Sequence, residues 1–143
     1  MVEISEDAKN LASKYQEFQR ETEALRQEMN MIQASILSCD QTIIAINELK
    51  AASAEGKIAE TMVPVGFGSF VYAEVKNADR IIVDLGAGFS AEKTADEAID
   101  TLKSRKEQLT KIFEQMSASL TKFIQGMQAL EVEAEKIQKL GQA

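Results

Sequence analysis

The chain has 143 residues, of which 27% are charged, and a formal net charge of −7 at pH 7; it contains one cysteine and no histidine. An acidic chain without a basic segment is poorly suited to neutralise phosphate groups, so we expect no binding to nucleic acid. No apolar run is long enough to span a bilayer and the N-terminal segment MVEISEDAKN is acidic and polar, so we expect a cytoplasmic protein that makes no contact with a membrane.

Residues 1–55 predict a long coiled-coil helix. Apolar residues recur at alternating steps of four and three positions. This spacing is sustained for about six heptads and is typical of a coiled-coil seam. Thr22 is the only polar residue of this N-terminal seam, and Cys39 takes a position that suits a small buried side chain. The N-terminal seam consists of Ile4, Ala8, Leu11, Tyr15, Phe18, Thr22, Leu25, Met29, Ile32, Ile36, Cys39, Ile43 and Ile46.

Toward its C-terminal end this helix gains apolar residues outside the seam, namely Leu37, Ile44 and Leu49. The wider apolar face predicts burial on more than one side of the helix in this region. The segment AASAEGKIAE then breaks the helical pattern, and Gly56 within it is predicted to end the helix.

Residues 61–93 predict a small β block, because β-branched and aromatic residues crowd together between glycines. The Gly-x-Gly segments at 66–68 and 86–88 predict the turns of two β-hairpins. Pro64 favours an edge position for the first strand, since proline cannot donate a ladder hydrogen bond. The predicted strands are Met62–Val65, Ser69–Val75, Ile81–Leu85 and Phe89–Glu92.

Isolated hairpins are marginally stable in water, and this β block contains more apolar residues than so small a unit covers by itself. We therefore expect the block to pair with the β blocks of other chains and to form an inter-subunit β-barrel. The residues predicted to mediate this oligomerisation are Val63, Val65, Phe70, Tyr72, Val75, Ile81, Val83 and Leu85.

Residues 94–143 predict a second coiled-coil helix, with Thr94 and Glu97 forming a capping box at its start. Lys106 is the one charged residue of its seam, and Gly126 interrupts good helix formers at a cost of about 1 kcal/mol. We expect Gly126 to soften the helix. The C-terminal seam consists of Ala95, Ile99, Leu102, Lys106, Leu109, Phe113, Met116, Leu120, Phe123, Met127, Leu130, Ala134 and Ile137.

Two helices of similar length around a compact connector predict a long antiparallel two-helix coiled coil, in a mostly α protein with a small β part. In this arrangement Ile46 lies near Ile99, Leu11 lies near Ala134, and both chain ends meet at one tip. Terminal helical turns open at little cost, and apolar surface exposed there is able to hold apolar surface of other proteins. The residues predicted to bind such clients are Val2, Ile4, Ala8, Leu11, Leu130, Val132, Ala134, Ile137 and Leu140.

Neither Gly-x-Gly segment belongs to a complete nucleotide-binding motif or opens a helix of a βαβ unit, so turn glycines are the favoured interpretation. Acidic clusters such as Glu131, Glu133 and Glu135 are typical of a solvated helix face rather than a metal site. Without histidine, no ordinary pairing of nucleophile and base is available. We expect no enzyme, no catalytic residue, no metal and no cofactor.

The segments VPVGFGSFVYAEV, IIVDLGAG and EKTADEAIDTLKSR, set between two long helices, resemble the α-class subunits of archaeal prefoldin. The most specific parts are VPVGxGSF at 63–70 and GAG at 86–88, and the resemblance extends over residues 1–143 as a single prefoldin-type subunit. It implies a hexamer of two α and four β-class subunits, whose hairpins form paired β-barrels. It also implies an ATP-independent chaperone that captures non-native proteins with its coiled-coil tips and passes them to a group II chaperonin.

A structural coiled-coil protein is the alternative interpretation. In that case the β block builds a scaffold or a filament, and no client protein is bound. Suppression of aggregation without ATP separates the two functions, whereas nucleotide binding by the chain would favour an enzyme that uses the glycine-rich turns.

Overall fold

A computed structural model describes residues 6–141 as two long helices joined by two antiparallel β-hairpins, which confirms the fold class predicted for the chain. The first strand begins at Ala59 rather than Met62, and the other strand boundaries lie within one residue of those predicted. In this described part neither helix is apolar enough to cross a membrane. The elements are α1 Glu6–Ala54, β1 Ala59–Gly66, β2 Ser69–Val75, β3 Ile81–Gly86, β4 Phe89–Lys93 and α2 Ala95–Gly141.

The chain divides into two compact units. The first combines α1 up to Ala34 with α2 from Leu109, and the second extends from Ser35 to Gln108 and contains all four strands. Inside each unit the two helices run antiparallel. Leu11 and Ala134 line one groove in the first unit, and Ile46 shares a core with Ile99 in the second, as the heptad spacing predicts.

The ends of the helices next to the hairpins are capped as predicted. Gly56 has a φ of 70°, and its N–H donates to the Ser53 carbonyl at 3.1 Å, while the Lys57 N–H donates to the Ala52 carbonyl at 2.9 Å. These paired bonds form a Schellman motif, which satisfies carbonyl groups left over at the end of a helix. At the start of α2, the Glu97 N–H donates to Thr94 Oγ1 at 3.3 Å.

Each hairpin contains one pair of neighbouring strands, β1 with β2 (hairpin 1) and β3 with β4 (hairpin 2). Both have a register shift immediately before the turn, between Pro64 and Gly66 and between Asp84 and Gly86. The glycines of both turns have positive φ, a conformation that glycine adopts without steric penalty. The predicted role of Gly66-x-Gly68 and Gly86-x-Gly88 as turn glycines is confirmed.

The buried core of the second unit joins hairpin 2 to the helices. Val83 is only 7% exposed there, and Ile81 packs against the same cluster. Val83 therefore offers no surface to another chain in this fold, which corrects its assignment to an intermolecular surface. Its side chain shares the helix-facing side of the strand with Ile81, because residues two apart on a strand share a face. The core cluster comprises Ile46, Val83, Ala95, Ala98, Ile99 and Leu102.

Seam residues of both helices within 6–141 are buried or half-buried, with Ala134 the exception. Thr22 is buried and its hydroxyl lies 3.7 Å from the Met127 sulfur, so the polar seam position has a partner. The predicted burial outside the seam is wrong for Leu37 and Ile44, which are 56% and 58% exposed in the single chain. A second helix covers one stripe of its partner, and these two residues lie outside that stripe.

Candidate functional site

An apolar groove lies between α1 and α2 in the first unit. Its volume is about 470 Å³, and six of its ten lining residues are alanine, leucine or isoleucine. A groove of this size accommodates one or a few apolar side chains of another protein. The groove is lined by Ala8, Leu11, Ala12, Tyr15, Gln16, Gln19, Leu130, Glu131, Ala134 and Ile137.

The groove is explained by the side chains on either side of Tyr15. Further along the helices the rings of Phe18 and Phe123 meet at a centroid distance of 6.0 Å. Toward the chain ends the groove lining includes Ala12 and Ala134, whose methyl groups fill little of the space between the helices. An unfilled apolar space follows from this change in side-chain volume.

Gly126 lies against this aromatic contact, and its expected softening of the helix stays a prediction. A Cβ atom at Gly126 would lie 3.4 Å from the ring of Phe18, so the absence of a side chain lets the ring lie close to α2. Single-sequence reasoning missed this role, because nothing local in the sequence indicates which residue of the other helix faces a glycine.

A hydrogen bond joins the two helices at the groove. Tyr15 donates its hydroxyl proton to Glu131 Oε1 at 3.0 Å, and this bond together with the carboxylate charge raises the pKa of the Tyr15 phenol. The bond is exposed to solvent. Tyr15 and Ala12 were absent from the predicted client-binding residues, although Tyr15 was identified as a seam residue.

The structure brings together five of the nine residues predicted to bind clients and leaves two of the others on open surface. Val132 and Leu140 are 54% and 78% exposed and do not line the groove. Val2 and Ile4 lie outside the described residues. The five residues in the groove are Ala8, Leu11, Leu130, Ala134 and Ile137.

Hairpin 1 carries a second apolar surface, which we call the hairpin 1 surface. No charged residue occurs between positions 61 and 73, although the strands at its base carry Glu60 and Glu74. The cross-strand pairs Met62–Tyr72 and Pro64–Phe70 lie on one side of the hairpin, and Val63–Val71 lies on the other. The hairpin 1 surface consists of the exposed side chains of Met62, Val63, Val65, Phe67, Phe70, Val71 and Tyr72.

Hairpin 2 is different because it is attached to the helices. Besides Val83 in the core, Arg105 of α2 donates from Nη2 to the Asp84 carbonyl at 2.7 Å. Hairpin 2 also carries an exposed ion pair between Arg80 Nε and Glu92 Oε1, 2.5 Å apart. Among the eight residues predicted to mediate oligomerisation, four are exposed on hairpin 1, namely Val63, Val65, Phe70 and Tyr72. Val75 and Ile81 are half-buried, and Val83 is buried. Leu85 on hairpin 2 is half exposed.

Within residues 6–141, no group of three or more cysteine or acidic side chains is arranged to hold a metal ion. The buried Cys39 is a free thiol within the N-terminal seam. The groove and the hairpin 1 surface are both apolar, and apolar surface of this kind is suited to contact with other proteins.

Comparisons with known proteins agree with this interpretation. A family model described as a prefoldin subunit matches residues 4–140. The chain is 76% identical to prefoldin subunit alpha of Methanosarcina barkeri and 73% identical to that of Methanosarcina acetivorans, in each case over the full length of both chains. It is also similar to a chain in the cryo-EM structure of filamentous PFD from Methanocaldococcus jannaschii. That similarity has a TM-score of 0.71 at 22% identity and covers 85% of this chain and 98% of the other.

Proposed function

The chain belongs to the prefoldin family, and we propose from this premise that it is the α-class subunit of an ATP-independent cytoplasmic chaperone. It assembles with β-class subunits, as two α and four β, captures non-native proteins and passes them to a group II chaperonin. The proposal is supported by the full-length similarity to prefoldin α subunits and by two apolar surfaces suited to different protein partners.

The observation that carries client capture is the apolar groove between Leu11 and Ala134. A non-native protein differs from a native one in exposing apolar side chains, and a groove lined by alkyl groups binds them with little dependence on sequence. Each groove contributes modest affinity, and several grooves in one assembly add to it through multivalency. No nucleotide is needed for such passive holding.

The hairpin 1 surface supports assembly. Large exposed apolar surfaces on a folded chain mark contacts with other proteins. Both strands of a two-stranded hairpin also have unpaired backbone N–H and C=O groups along their outer edges, which favours pairing with further strands. The six exposed or half-buried residues that we propose for this role are Val63, Val65, Phe70, Tyr72, Val75 and Leu85. Ile81 and Val83 are left out, since they pack within the chain itself.

Client capture is tested by placing charge in the groove. In the assembled protein, we expect Ala12→Glu together with Ala134→Glu to remove most protection of a denatured client, because carboxylates would be desolvated against bound apolar groups. Protection is measured as light scattering after the client is diluted into buffer without ATP. The matched control is Val132→Glu, which changes an exposed residue of the same helix outside the groove.

Retention of full protection by the groove variant would place capture elsewhere on the assembly. Equal loss in the Val132→Glu control would mean that the exposed apolar residues near the chain ends act together and that the groove has no special role. If the unmodified assembly gave no protection at all, the scaffold interpretation would replace the chaperone. The exposed hairpin 1 surface favours that second candidate equally, because it supports association whether or not clients are bound.

A further inference from the structure

Thr22 directs its hydroxyl differently from other threonines of the two helices. Thr42, Thr101 and Thr121 each donate to the carbonyl oxygen four residues earlier in their own helix, at 2.7, 3.0 and 3.1 Å. This bond to the own backbone is the usual one for a threonine within a helix. The Thr22 hydroxyl instead donates across to α2, where its Oγ1 lies 3.7 Å from the Met127 sulfur. The position of the sulfur therefore accounts for the orientation of this hydroxyl.

A thioether sulfur is a poor partner for a buried hydroxyl. Thr22 is only 7% exposed, and a thioether accepts hydrogen bonds weakly. A buried donor gains more from a strong acceptor, because a poorly satisfied polar group costs free energy in the folded state. Oxidation of the Met127 thioether to a sulfoxide supplies such an acceptor, since the added oxygen is bonded to the sulfur that the Thr22 hydroxyl already faces.

The separation of the two side chains fits a hydrogen bond to a sulfoxide. An S=O bond of about 1.5 Å and a hydrogen bond of about 2.7 Å, meeting at about 120°, place the sulfur about 3.7 Å from the hydroxyl oxygen. The distance from Met127 Sδ to Thr22 Oγ1 is 3.7 Å. The sulfoxide oxygen is therefore accommodated at the present spacing of the helices.

A surface cleft gives solutes access to the sulfur. Met127 is half-buried and lines a cleft of about 390 Å³, to which Thr22 and Gln128 also contribute. A water molecule occupies about 30 Å³ in the liquid, so the cleft has room for a peroxide of about twice that size. The oxidant reaches Met127 without unfolding of the helices.

From these observations we propose that Met127 is an oxidation site, at which a peroxide converts the thioether to a sulfoxide that Thr22 then binds. A sulfur lone pair attacks one peroxide oxygen, the O–O bond breaks, and the departing hydroxide takes the proton from the transferred oxygen to give water. The sulfur loses two electrons and the peroxide gains them. The Thr22 hydroxyl donates to the new oxygen, so the helix pair stays folded after oxidation. This inference is independent of the proposed chaperone function.

Met29 and Met116 provide the comparison within the same helices. Both are half-buried seam residues like Met127, but the hydrogen bonds found within residues 6–141 include none to either sulfur. A sulfoxide at these positions places a polar oxygen in the seam without a donor, which costs free energy. We therefore expect oxidation to destabilise the chain at Met29 or Met116 and to be tolerated at Met127.

The experiment uses the full-length chain with Met29→Leu, Met31→Leu, Met62→Leu and Met116→Leu, which leaves Met127 as the only methionine besides Met1. Leucine is close to methionine in volume, so these changes are mild. The protein is treated with hydrogen peroxide, sulfoxide at Met127 is quantified by peptide mass spectrometry, and thermal unfolding is followed by circular dichroism. We expect oxidation to leave the unfolding temperature unchanged, and to lower it by about 3 °C or more when Thr22→Val removes the hydroxyl.

The matched control retains Met116 and carries Met127→Leu in its place. Oxidation of this control should lower the unfolding temperature whether or not Thr22 is replaced. Thr22→Ser keeps the hydroxyl without the methyl group and should preserve the tolerance of Met127 to oxidation.

Three results would overturn the inference: Met127 that stays reduced where Met116 is oxidised, the same loss of unfolding temperature on oxidation of Met127 with Thr22 and with Thr22→Val, or the same loss on oxidation of Met127 and of Met116 in chains that retain Thr22. The third comparison decides the question even if Thr22→Val does not fold.

Discussion

At the scale of single residues, Gly126 shows how a residue that weakens a helix is retained for contact with its partner. Glycine destabilises a helix interior relative to alanine by about 1 kcal/mol, but here it faces the ring of Phe18. Whether a side chain is tolerated depends on the available space. An added Cβ would lie 3.4 Å from two ring atoms, which is contact distance without severe overlap.

We therefore expect Gly126→Ala to stabilise the chain by about 0.5 to 1 kcal/mol, because the gain in helix propensity exceeds the cost of a contact at that distance. Gly126→Val would force methyl groups into the ring of Phe18 and destabilise the chain by about 1 to 3 kcal/mol. Thermal unfolding followed by circular dichroism measures both changes. Gly141→Ala serves as the control, since nothing lies within 4 Å of a Cβ there, and its effect should be small. Destabilisation by Gly126→Ala would mean that Phe18 has no room to adjust.

The contact between Tyr15 and Glu131 makes a prediction about pH. The hydrogen bond to the carboxylate favours the protonated phenol, so the pKa of Tyr15 is raised above its ordinary value. A group whose folded pKa is raised contributes stability that is present below its unfolded pKa and lost as the pH rises through the folded value. The contact should therefore be intact at neutral pH and be lost under strongly alkaline conditions.

Ultraviolet titration in a Tyr72→Phe background isolates Tyr15, since the chain has only two tyrosines. We expect its phenol to ionise at higher pH than free tyrosine, and the neighbouring substitution Glu131→Gln to lower that pH by removing the negative charge. Identical titration curves with and without the Glu131→Gln substitution would show that the hydrogen bond is not formed in solution.

At the scale of elements, the stability that each α1 side chain contributes depends on how deeply that side chain is buried. Ile46 is 5% exposed in the core of the second unit, whereas Ile32 is a half-buried seam residue and Gln27 lies on the exposed side of the same helix. Loss of a buried side chain removes its transfer free energy and leaves a cavity, and a half-buried side chain loses less of both.

Accordingly, Ile46→Ala should destabilise the chain by about 2 to 5 kcal/mol, Ile32→Ala by about 2 kcal/mol or less, and Gln27→Ala by almost nothing. Chemical denaturation with urea, followed by helical circular dichroism, ranks the variants. A Gln27 variant as unstable as the Ile46 variant would show that the heptad assignment of α1 is wrong.

At the scale of the whole molecule, we expect the same substitution to have different effects on the two hairpins, because hairpin 1 is exposed and hairpin 2 packs against the helices. Tyr72 is 76% exposed on hairpin 1, so Tyr72→Asp should preserve the helices of the single chain and abolish association by placing an unpaired charge in the interface. Val83→Asp places the same charge in the core among Ile46, Ile99 and Leu102, so the chain itself should unfold.

Analytical ultracentrifugation and circular dichroism of the two variants separate these outcomes. We expect Tyr72→Asp to lose oligomeric mass at unchanged helicity, and Val83→Asp to lose helicity as well. A folded Val83 variant, or a Tyr72 variant that retains full oligomeric mass, would contradict the division of roles between the hairpins.

The sequence by itself determined the features of this protein that depend on short-range geometry. Alternating steps of four and three residues identify the buried stripe of each helix, because 3.6 residues per turn leave only one face for a partner helix. The helix boundaries at Gly56 and Thr94 and the turns at 66–68 and 86–88 follow equally from local sterics and local hydrogen bonds. Family resemblance was readable from the same segments.

Only the tertiary structure decided which apolar residues are covered within the chain and which stay exposed. Val83 and Tyr72 look alike as strand residues, yet one is buried against helices and the other is exposed. The apolar groove is lined by residues of both helices, among them Ala12 of α1 and Ala134 of α2, which lie far apart in the sequence. Such outcomes depend on pairs of residues far apart in the chain. Hydrophobic periodicity and secondary-structure propensity describe one segment at a time. They cannot specify which distant residue a given side chain contacts in the folded chain.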